Sequence, residues 1–309
     1  MIVLSREQVK ALLEPDALID AVASALADVS AGRASVPPRI AAFTPDGLLG
    51  AMAAWVPSAD TLAAKLVSLF PGNRDLPTHQ ALIAVFDPRT GTPVALLDGE
   101  EITAQRTAAA SALATRLLAR EDARVLAIVG TGVQAASHAR YVPRVRGFRT
   151  VLVAGRDGDK ARALAARVGA SAASIEEAVR AADVICATTH AREPVIRMQW
   201  LKPGAHLCSV GLNPQGREID SLRGALVAVE ARASAFAAFP AGANELRDVA
   251  PEDAVELGEL ISSTRAGRTS PAQITVYKSV GIAAEDAAAA ALALRRAAAG
   301  QTAAAVLGK

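Results

Sequence analysis

Three basic side chains stand inside or beside otherwise apolar segments, and their type and setting suit them to chemistry. Lys65 interrupts the apolar run 62–67, Arg106 interrupts a helix-forming stretch of small residues, and Arg39 ends the string VPPR. A buried cation is unfavourable unless an anion compensates it. Few acids lie nearby in the sequence. Two interpretations therefore stay open: the three cations bind the carboxylate of a small substrate, or they form ion pairs with acids from elsewhere in the fold.

A second pattern, VLAIVGTGVQA over residues 125–135, predicts a dinucleotide site. Five apolar residues run into Gly130 and Gly132, and a helix-forming stretch begins at Val133. An apolar run ended by glycine is typical of a strand buried in a parallel sheet. Gly130 permits a tight turn, and Gly132 lets a pyrophosphate approach the backbone at the N-terminus of the following helix. The spacing G-x-G-x-x-A therefore indicates bound NAD or NADP.

The end of the next predicted strand bears on which of these two cofactors fits. An acidic residue there would bind the ribose 2′-hydroxyl and repel a 2′-phosphate. The chain instead has Arg156, which can pair with a 2′-phosphate, followed by Asp157 and, one turn on, Lys160. Asp157 is the competing feature, although it can also cap the next helix. We expect NADPH to be preferred, with NADH as the alternative.

The elements that must position these residues form two patterns. From residue 119 to 281, apolar strands alternate with helices, which predicts an α/β fold with a doubly wound Rossmann dinucleotide-binding domain. Residues 1–118 predict an α+β domain with a mostly antiparallel sheet of about five strands between residues 40 and 97. The C-terminal segment 282–309 begins with an alanine-rich helix, which we expect to pack back on this first domain. The first crossover helix is expected over residues 130–145.

Composition excludes several classes of protein. The chain has 309 residues, and its 33 basic and 31 acidic side chains leave a net charge of +2, so nothing points to nucleic acid or a membrane surface. No apolar run approaches the roughly 18 residues of a membrane-spanning helix. Cys186 and Cys208 lie in apolar runs, which is typical of buried free thiols in a cytoplasmic protein. No cluster has metal-ligand spacing, so we expect no metal.

The motifs together resemble the ornithine cyclodeaminase/mu-crystallin family, in the family's order and over nearly the whole chain. They are VPPR (36–39), AKLVS (64–68), PGN (71–73), LPTH (76–79), EITAQRTAAAS (101–111), GTGVQA (130–135) and VYKSVG (276–281). The resemblance implies an NAD(P)-dependent oxidoreductase of amino-acid metabolism with two domains. It also implies that the first domain binds substrate and joins two copies into a homodimer.

The resemblance also implies roles for individual residues. Positions that hold the substrate carboxylate correspond to Arg39, Lys65 and Arg106, and positions on the substrate side of the nicotinamide correspond to Asn213 and Val280. Positions that contact the cofactor correspond to Thr78, Arg106, Val133, Gln134, Arg156, Thr188, Val210, Gly211, Leu212 and Ser279, beside Gly130 and Gly132.

Two departures from the family pattern refine the expected reaction. Cyclodeaminases that resemble this chain have a proton-shuttling aspartate where Asn213 stands, and a glutamate where Gly50 stands, two residues before Met52. An amide is neither a general acid nor a general base near neutral pH. The string GLNPQGRE (211–218) looks instead like the branch that reduces cyclic ketimines.

We therefore predict reduction of Δ1-pyrroline-2-carboxylate or Δ1-piperideine-2-carboxylate to L-proline or L-pipecolate. Asn213 is expected to hydrogen-bond the substrate, and the imine proton comes either from solution or from Lys65. These two residues are accordingly the catalytic candidates. Three alternatives remain: an open-chain amino-acid dehydrogenase like alanine dehydrogenase, an ornithine cyclodeaminase, and a non-catalytic binding protein like mu-crystallin.

Overall fold

The chain folds into two compact units. The computed structural model describes residues 1–213, 216–300 and 305–306. The first unit comprises Met1–Arg106 and Gly281–Lys309, and the second comprises Thr107–Val280. Two predicted segments extend beyond the described residues: Pro214 and Gln215 of GLNPQGRE, and positions 301–304 and 307–309 of the C-terminal segment.

Helices and strands are numbered in chain order. The helices are α1 (Arg6–Leu12), α2 (Pro15–Ser30), α3 (Gly99–Leu118), α4 (Val133–Tyr141), α5 (Gly158–Val168), α6 (Ile175–Ala181), α7 (Arg232–Ala235), α8 (Leu257–Ile261) and α9 (Ala283–Ala298). The strands are β1 (Ile2–Leu4), β2 (Ile40–Phe43), β3 (Leu48–Val56), β4 (Thr61–Leu69), β5 (His79–Phe86), β6 (Pro93–Asp98), β7 (Val125–Val129), β8 (Thr150–Ala154), β9 (Ser171–Ala172), β10 (Val184–Ala187), β11 (His206–Ser209), β12 (Leu226–Val229), β13 (Val255–Glu256), β14 (Thr275–Lys278) and β15 (Ala305–Val306).

The sheet of the first unit runs in the order β15-β1-β6-β5-β4-β3-β2. Strands β2 to β6 pair antiparallel, as the sequence predicts, and β1 pairs parallel with β6. The strands β1 and β15 were not predicted, because segments of three and two residues are too short to show periodicity. The expected α+β character of this region is confirmed.

One face of this sheet is covered and carries the buried side chains. Met52 on β3, Lys65 on β4 and Ile83 on β5 are cross-strand neighbours, and all three are buried. Helix α9 packs on this side against β3, β4 and α2. Its residues from 283 to 292 are all buried, and the seven alanines among them let the helix approach the sheet closely.

The sheet of the second unit is parallel throughout its described strands, in the order β13-β12-β14-β11-β10-β7-β8-β9. Strands and helices alternate along the chain, which confirms the predicted doubly wound fold. The first crossover helix is shorter than expected. Gly130 has φ +133°, which is incompatible with a helix, so α4 begins only at Val133. It ends at Tyr141, and a 3-10 turn that contains Pro143 follows over Val142–Arg144.

Candidate functional site

The three basic residues singled out from the sequence lie in the first unit. Lys65 points to the covered side of the sheet and is 3% exposed, and Arg106, on α3, is 5% exposed. Arg39 is half-buried in the extended segment before β2. Its guanidinium donates a hydrogen bond to the carbonyl oxygen of Gly281 at 2.7 Å.

Two carboxylates from the first turn of α9 join this cluster. The Lys65 ammonium lies 2.7 Å from one oxygen of Asp286, and Nε of Arg106 lies 3.1 Å from the other. Arg106 also contacts Glu285 at 3.2 Å. These contacts are the ion pairs with acids from elsewhere in the fold that the sequence left open as one of two interpretations. The acids are about 180 to 220 positions away along the chain, so inspection of neighbouring residues could not find them. We call Arg39, Lys65, Arg106, Glu285 and Asp286 the charged cluster.

Gly281 lets the guanidinium groups of Arg39 and Arg106 approach the same stretch of backbone. Its φ is +66°, and a Cβ atom placed there would lie 2.7 Å from both terminal nitrogens of Arg106. Arg39 meanwhile bonds to the Gly281 carbonyl. Glycine is therefore required for both its conformation and its lack of a side chain. The glycine that ends the motif VYKSVG is thus explained by the close approach of the charged cluster to the backbone.

Burial dominates the electrostatics of the charged cluster. It lowers the pKa of Lys65 from 10.5 to about 8; Asp286 opposes this shift, and the positive charges of Arg106 and Arg39 add to it. For Asp286, burial favours a higher pKa, but Lys65 and Arg106 outweigh it and hold the pKa below its usual value. With Lys65 protonated, three cations face two carboxylates, so the five groups carry one net positive charge.

In the second unit, the turn after β7 has the geometry expected of a dinucleotide fingerprint. A Cβ on Gly130 would overlap the hydroxyl of Thr188, which donates to the carbonyl of Val129 at 3.0 Å. Gly132 precedes α4, and a Cβ there would meet nothing within 4 Å. Within the described part of the chain, no side chain caps α4, and Val133 is 71% exposed. The first amides of α4 can therefore receive a phosphate.

The strand end that bears on cofactor choice leaves Arg156 exposed. The adjacent Asp157 is the N-cap of α5, and its carboxylate accepts hydrogen bonds from the backbone of Asp159 and Lys160, each at 3.1 Å. These bonds, that to Lys160 foremost, lower the pKa of Asp157. The carboxylate that competed with Arg156 in the sequence is thus engaged in helix capping.

The loop after β11 is held from both sides by buried charged groups. Gly211 donates its amide to Glu218 at 2.8 Å and accepts at its carbonyl from Lys278 at 2.5 Å. Glu218 also accepts from the amide and hydroxyl of Thr189 and from the hydroxyl of Ser209. Lys278 in turn pairs with Glu245 at 3.2 Å. The candidate contacts Val210, Gly211, Leu212 and Asn213 are half-buried on this loop, and the Asn213 amide donates to the His190 carbonyl at 3.4 Å.

A further buried carboxylate holds the end of β14. Glu230 accepts from the hydroxyls of Tyr277 and Ser279 at 2.8 and 2.6 Å, and from the amide of Val280 at 3.3 Å. Ser279 and Val280 were candidate contacts from the sequence, whereas Glu230, Glu218 and Lys278 were missed. Their only sequence signal is a charged residue close to a buried strand.

The sequence candidates thus fall into separate groups. Thr78, which is exposed and contacts His79 at 3.2 Å, and Arg106 belong to the first unit. The remaining cofactor candidates, including the half-buried Gln134, belong to the second unit. Over residues 1–213 and 216–300, no group of three or more His, Cys, Asp or Glu side chains could hold a metal ion. None of the described helices is both long and apolar enough to cross a membrane.

Comparison with known proteins finds relatives that are named as reductases. Ketimine reductase mu-crystallin from Mus musculus is 39% identical over 251 residues, which are 78% of this chain and 77% of that protein. A Delta(1)-pyrroline-2-carboxylate reductase from Bacillus cereus is 34% identical over 310 residues, with 93% of each chain covered.

Solved structures agree with these relatives. The complex of Thermococcus litoralis Delta(1)-pyrroline-2-carboxylate reductase with NADH and L-proline has a TM-score of 0.92 and 31% identity, covering 99% of this chain and 100% of that one. An archaeal alanine dehydrogenase dimer with bound NAD has a TM-score of 0.90 and 28% identity, covering 100% and 99%. The family model for ornithine cyclodeaminase/mu-crystallin proteins matches residues 1–301. As its motifs predicted, the chain belongs to the ornithine cyclodeaminase/mu-crystallin family.

Proposed function

We propose that the protein reduces a cyclic imino acid, Δ1-pyrroline-2-carboxylate or Δ1-piperideine-2-carboxylate, to L-proline or L-pipecolate. The observation that carries the proposal is the net positive charge of the charged cluster, four of whose five side chains are buried. A single substrate carboxylate would neutralise it. Relatives that cover 93% of the chain are named as reductases of this substrate class, and one similar structure contains L-proline and NADH.

Arg39, Lys65 and Arg106 bind the carboxylate of the imino acid in this mechanism. Guanidinium and ammonium groups form charge-assisted hydrogen bonds with carboxylates, and burial strengthens them. Asp286 and Glu285 hold Lys65 and Arg106 in place. A clamped carboxylate fixes the position of the adjacent C2 carbon, which is the atom to be reduced.

The ring nitrogen needs one proton for each turnover. Lys65 is a suitable donor, because its pKa of about 8 keeps most of the ammonium protonated at neutral pH while easing proton release. A substrate that arrives already protonated needs no donor. Asn213 hydrogen-bonds the substrate in either case. Neither Asn213 nor Gly50 supplies the acid that a cyclodeaminase requires, so cyclodeamination is not favoured.

A bound nicotinamide cofactor supplies the hydride. The uncapped start of α4 and the open space at Gly132 fit its pyrophosphate, and Gly130, Val133, Gln134 and Thr188 line this turn. The loop Val210–Leu212 and Ser279 complete the proposed contacts in the second unit, and Thr78 and Arg106 provide those of the first.

For the cofactor we propose a preference for NADPH, with NADH as a weaker alternative. Arg156 is exposed at the strand end, and Asp157 is engaged in capping α5. Replacing Arg156 with Asp removes a charge-assisted bond and adds repulsion, so the NADPH/NADH ratio of kcat/KM should fall about 100-fold. Arg162→Ala, at an exposed arginine on the following helix α5, is the control. An unchanged ratio in Arg156→Asp would contradict the assignment.

The function is tested by following absorbance of NADPH with each cyclic imino acid and no added ammonia. Lys65→Met, Arg39→Met and Arg106→Met should each lower kcat/KM at least about 10- to 100-fold, the value of one lost charged hydrogen bond. Arg89→Ala, an exposed arginine paired with Asp60, is the matched control.

Other results would redirect the proposal. Turnover only with pyruvate plus ammonia or methylamine would indicate the open-chain dehydrogenase, an alternative favoured by the similarity to archaeal alanine dehydrogenase. Ammonia release from ornithine with NAD would indicate cyclodeamination. Saturable binding without NADPH consumption would indicate a binding protein.

We further propose a homodimer formed through the open face of the first sheet. This face carries by register the side chains of Ile40, Leu49, Trp55, Leu66 and Leu82, and each is at least 39% exposed. A continuous apolar surface of this kind indicates a partner. A similar alanine dehydrogenase is a dimer, which favours a second copy. Leu66→Glu should halve the mass measured by light scattering, whereas Phe239→Glu, at an exposed apolar position of the second unit, should not. A native monomer would contradict the proposal.

A further inference from the structure

Asp286 has an unusual position in the charged cluster, because its two oxygens contact two different cations. One oxygen lies 2.7 Å from the ammonium of Lys65 and the other 3.1 Å from Nε of Arg106. All three side chains are at least 94% buried. A carboxylate bridged in this way fixes the separation and orientation of the two cations.

The backbone under Asp286 is held in place by the packing of α9. Asp286 lies in the first turn of α9, and the alanines that follow it are buried against β3, β4 and α2. The preceding Glu285 accepts the amide of Ile282 at 2.8 Å and so closes the start of the helix. The carboxylate of Asp286 therefore cannot follow the cations if they move, and instead determines where they sit.

The surroundings of Lys65 make this carboxylate important for its charge. Across the sheet, Lys65 faces the apolar side chains of Met52 and Ile83. From α3 it faces the hydroxyl of Thr103 at 3.4 Å and the guanidinium of Arg106. Arg39 adds another positive charge and Asp286 the negative one. Burial and both arginines thus favour the neutral amine, and Asp286 opposes them.

We propose that Asp286 is a positioning residue for the reduction, which holds Lys65 and Arg106 in one geometry for a single substrate carboxylate and keeps Lys65 in its ammonium form between turnovers. The inference rests on the proposed function, since it concerns the same cations. Glu285 has a different role, because it contacts Arg106 and closes the start of α9.

The first test needs no substrate. The chain has six lysines, so protein labelled with 13C-lysine gives few signals, and Lys65→Arg identifies the one from Lys65. The titration midpoint of Lys65 is expected near pH 8 in the native protein. In Asp286→Asn it should fall by about one pH unit or more, because an amide carries no charge. Glu285→Gln should shift it less, since Glu285 contacts Arg106 instead. Equal midpoints in the native protein and Asp286→Asn would overturn the inference.

The second test uses turnover. In Asp286→Asn the basic limb of the pH profile of kcat/KM should move to lower pH by the same shift as the NMR midpoint, and KM should rise. Asp286→Glu retains the charge at a displaced position, so it should restore the basic limb while KM stays raised; this variant also keeps the test available if Asp286→Asn does not fold. A raised KM with an unmoved limb would leave only a structural role and overturn the inference. Should no cyclic imino acid react with the native protein, the proposed function fails, whereas the NMR titration still tests the link between Asp286 and Lys65.

Discussion

Two pairs of buried carboxylates, one pair in each unit, have different kinds of partner. In the first unit, Asp286 and Glu285 face cations, and the cluster still carries one net positive charge. In the second unit, Glu218 and Glu230 collect hydrogen bonds from backbone amides and hydroxyl groups. The first arrangement has one more cation than carboxylates among its five charged groups, whereas the second gathers neutral donors around each carboxylate.

The two pairs of carboxylates are therefore expected to affect different properties of the protein. Lys65 has a pKa lowered to about 8, so burial destabilises its ammonium form relative to that of a solvated lysine. The strand-end loops at Gly211 and Val280 are instead pinned through their amides, which shapes them before any cofactor binds. We therefore expect substitutions at the strand ends to lower stability most, and substitutions in the charged cluster to affect activity most.

The largest loss of stability is expected for Glu218→Gln. One carboxylate oxygen accepts from the amide of Thr189 and the other from the amide of Gly211. A glutamine in either orientation places its NH2 group against a backbone N–H that cannot rotate away. The free energy of unfolding should fall by about 3 kcal/mol, in the range of broken buried charged contacts.

This prediction is measured by urea unfolding. Glu252→Gln is the matched control, because Glu252 is an exposed glutamate of the same unit; its effect should stay within about 0.5 kcal/mol. An equally small effect of Glu218→Gln would remove the contrast between the two units.

A smaller effect is expected at Glu230, where two hydroxyls share one carboxylate oxygen. Tyr277→Phe and Ser279→Ala each remove one hydrogen bond to it, and each should lower the free energy of unfolding by about 1.5 kcal/mol. These two substitutions also distinguish a residue that contacts the cofactor from one that only supports the strand. Ser279→Ala should weaken NADPH binding in a fluorescence titration, but Tyr277→Phe should not. Equal weakening by both would mean that Glu230 acts only through the position of β14.

The residues that could be predicted from the sequence are those with local signals. The run into Gly130, the proline-rich approach to Arg39 and the alternation of β2 to β6 depend on neighbouring residues, and both the family and the fold class are confirmed. The cap role of Asp157 was also visible as an alternative, since a carboxylate before a helix has a local reason.

The partners of the charged cluster could not be predicted in the same way. Glu285 and Asp286 were visible only as charges that interrupt an alanine-rich helix, and nothing in their spacing links them to Lys65. Their contacts arise because α9 returns to cover the sheet of the first unit. Glu218 and Glu230 present the same difficulty, because a buried carboxylate that gathers neutral donors leaves no motif.

The smallest change in stability at neutral pH is expected for Lys65→Met, which nevertheless removes a cation of the proposed substrate clamp. Methionine fills similar space, Arg106 still compensates the Asp286 carboxylate, and removal of a desolvated ammonium offsets the lost ion pair, so the free energy of unfolding should change by about 1 kcal/mol or less at pH 7. The pH dependence sharpens this prediction. Folded Lys65 releases its proton near pH 8, and the unfolded chain releases it near 10.5. Between these values the unfolded state binds more protons, so this group makes the native protein more stable as pH rises, and below pH 8 the contribution is constant.

Urea unfolding of both proteins from pH 7 to 10.5 should show the native protein gaining stability over Lys65→Met only above pH 8. Parallel curves would mean that Lys65 has an ordinary pKa and that burial in the first unit does not destabilise its ammonium form.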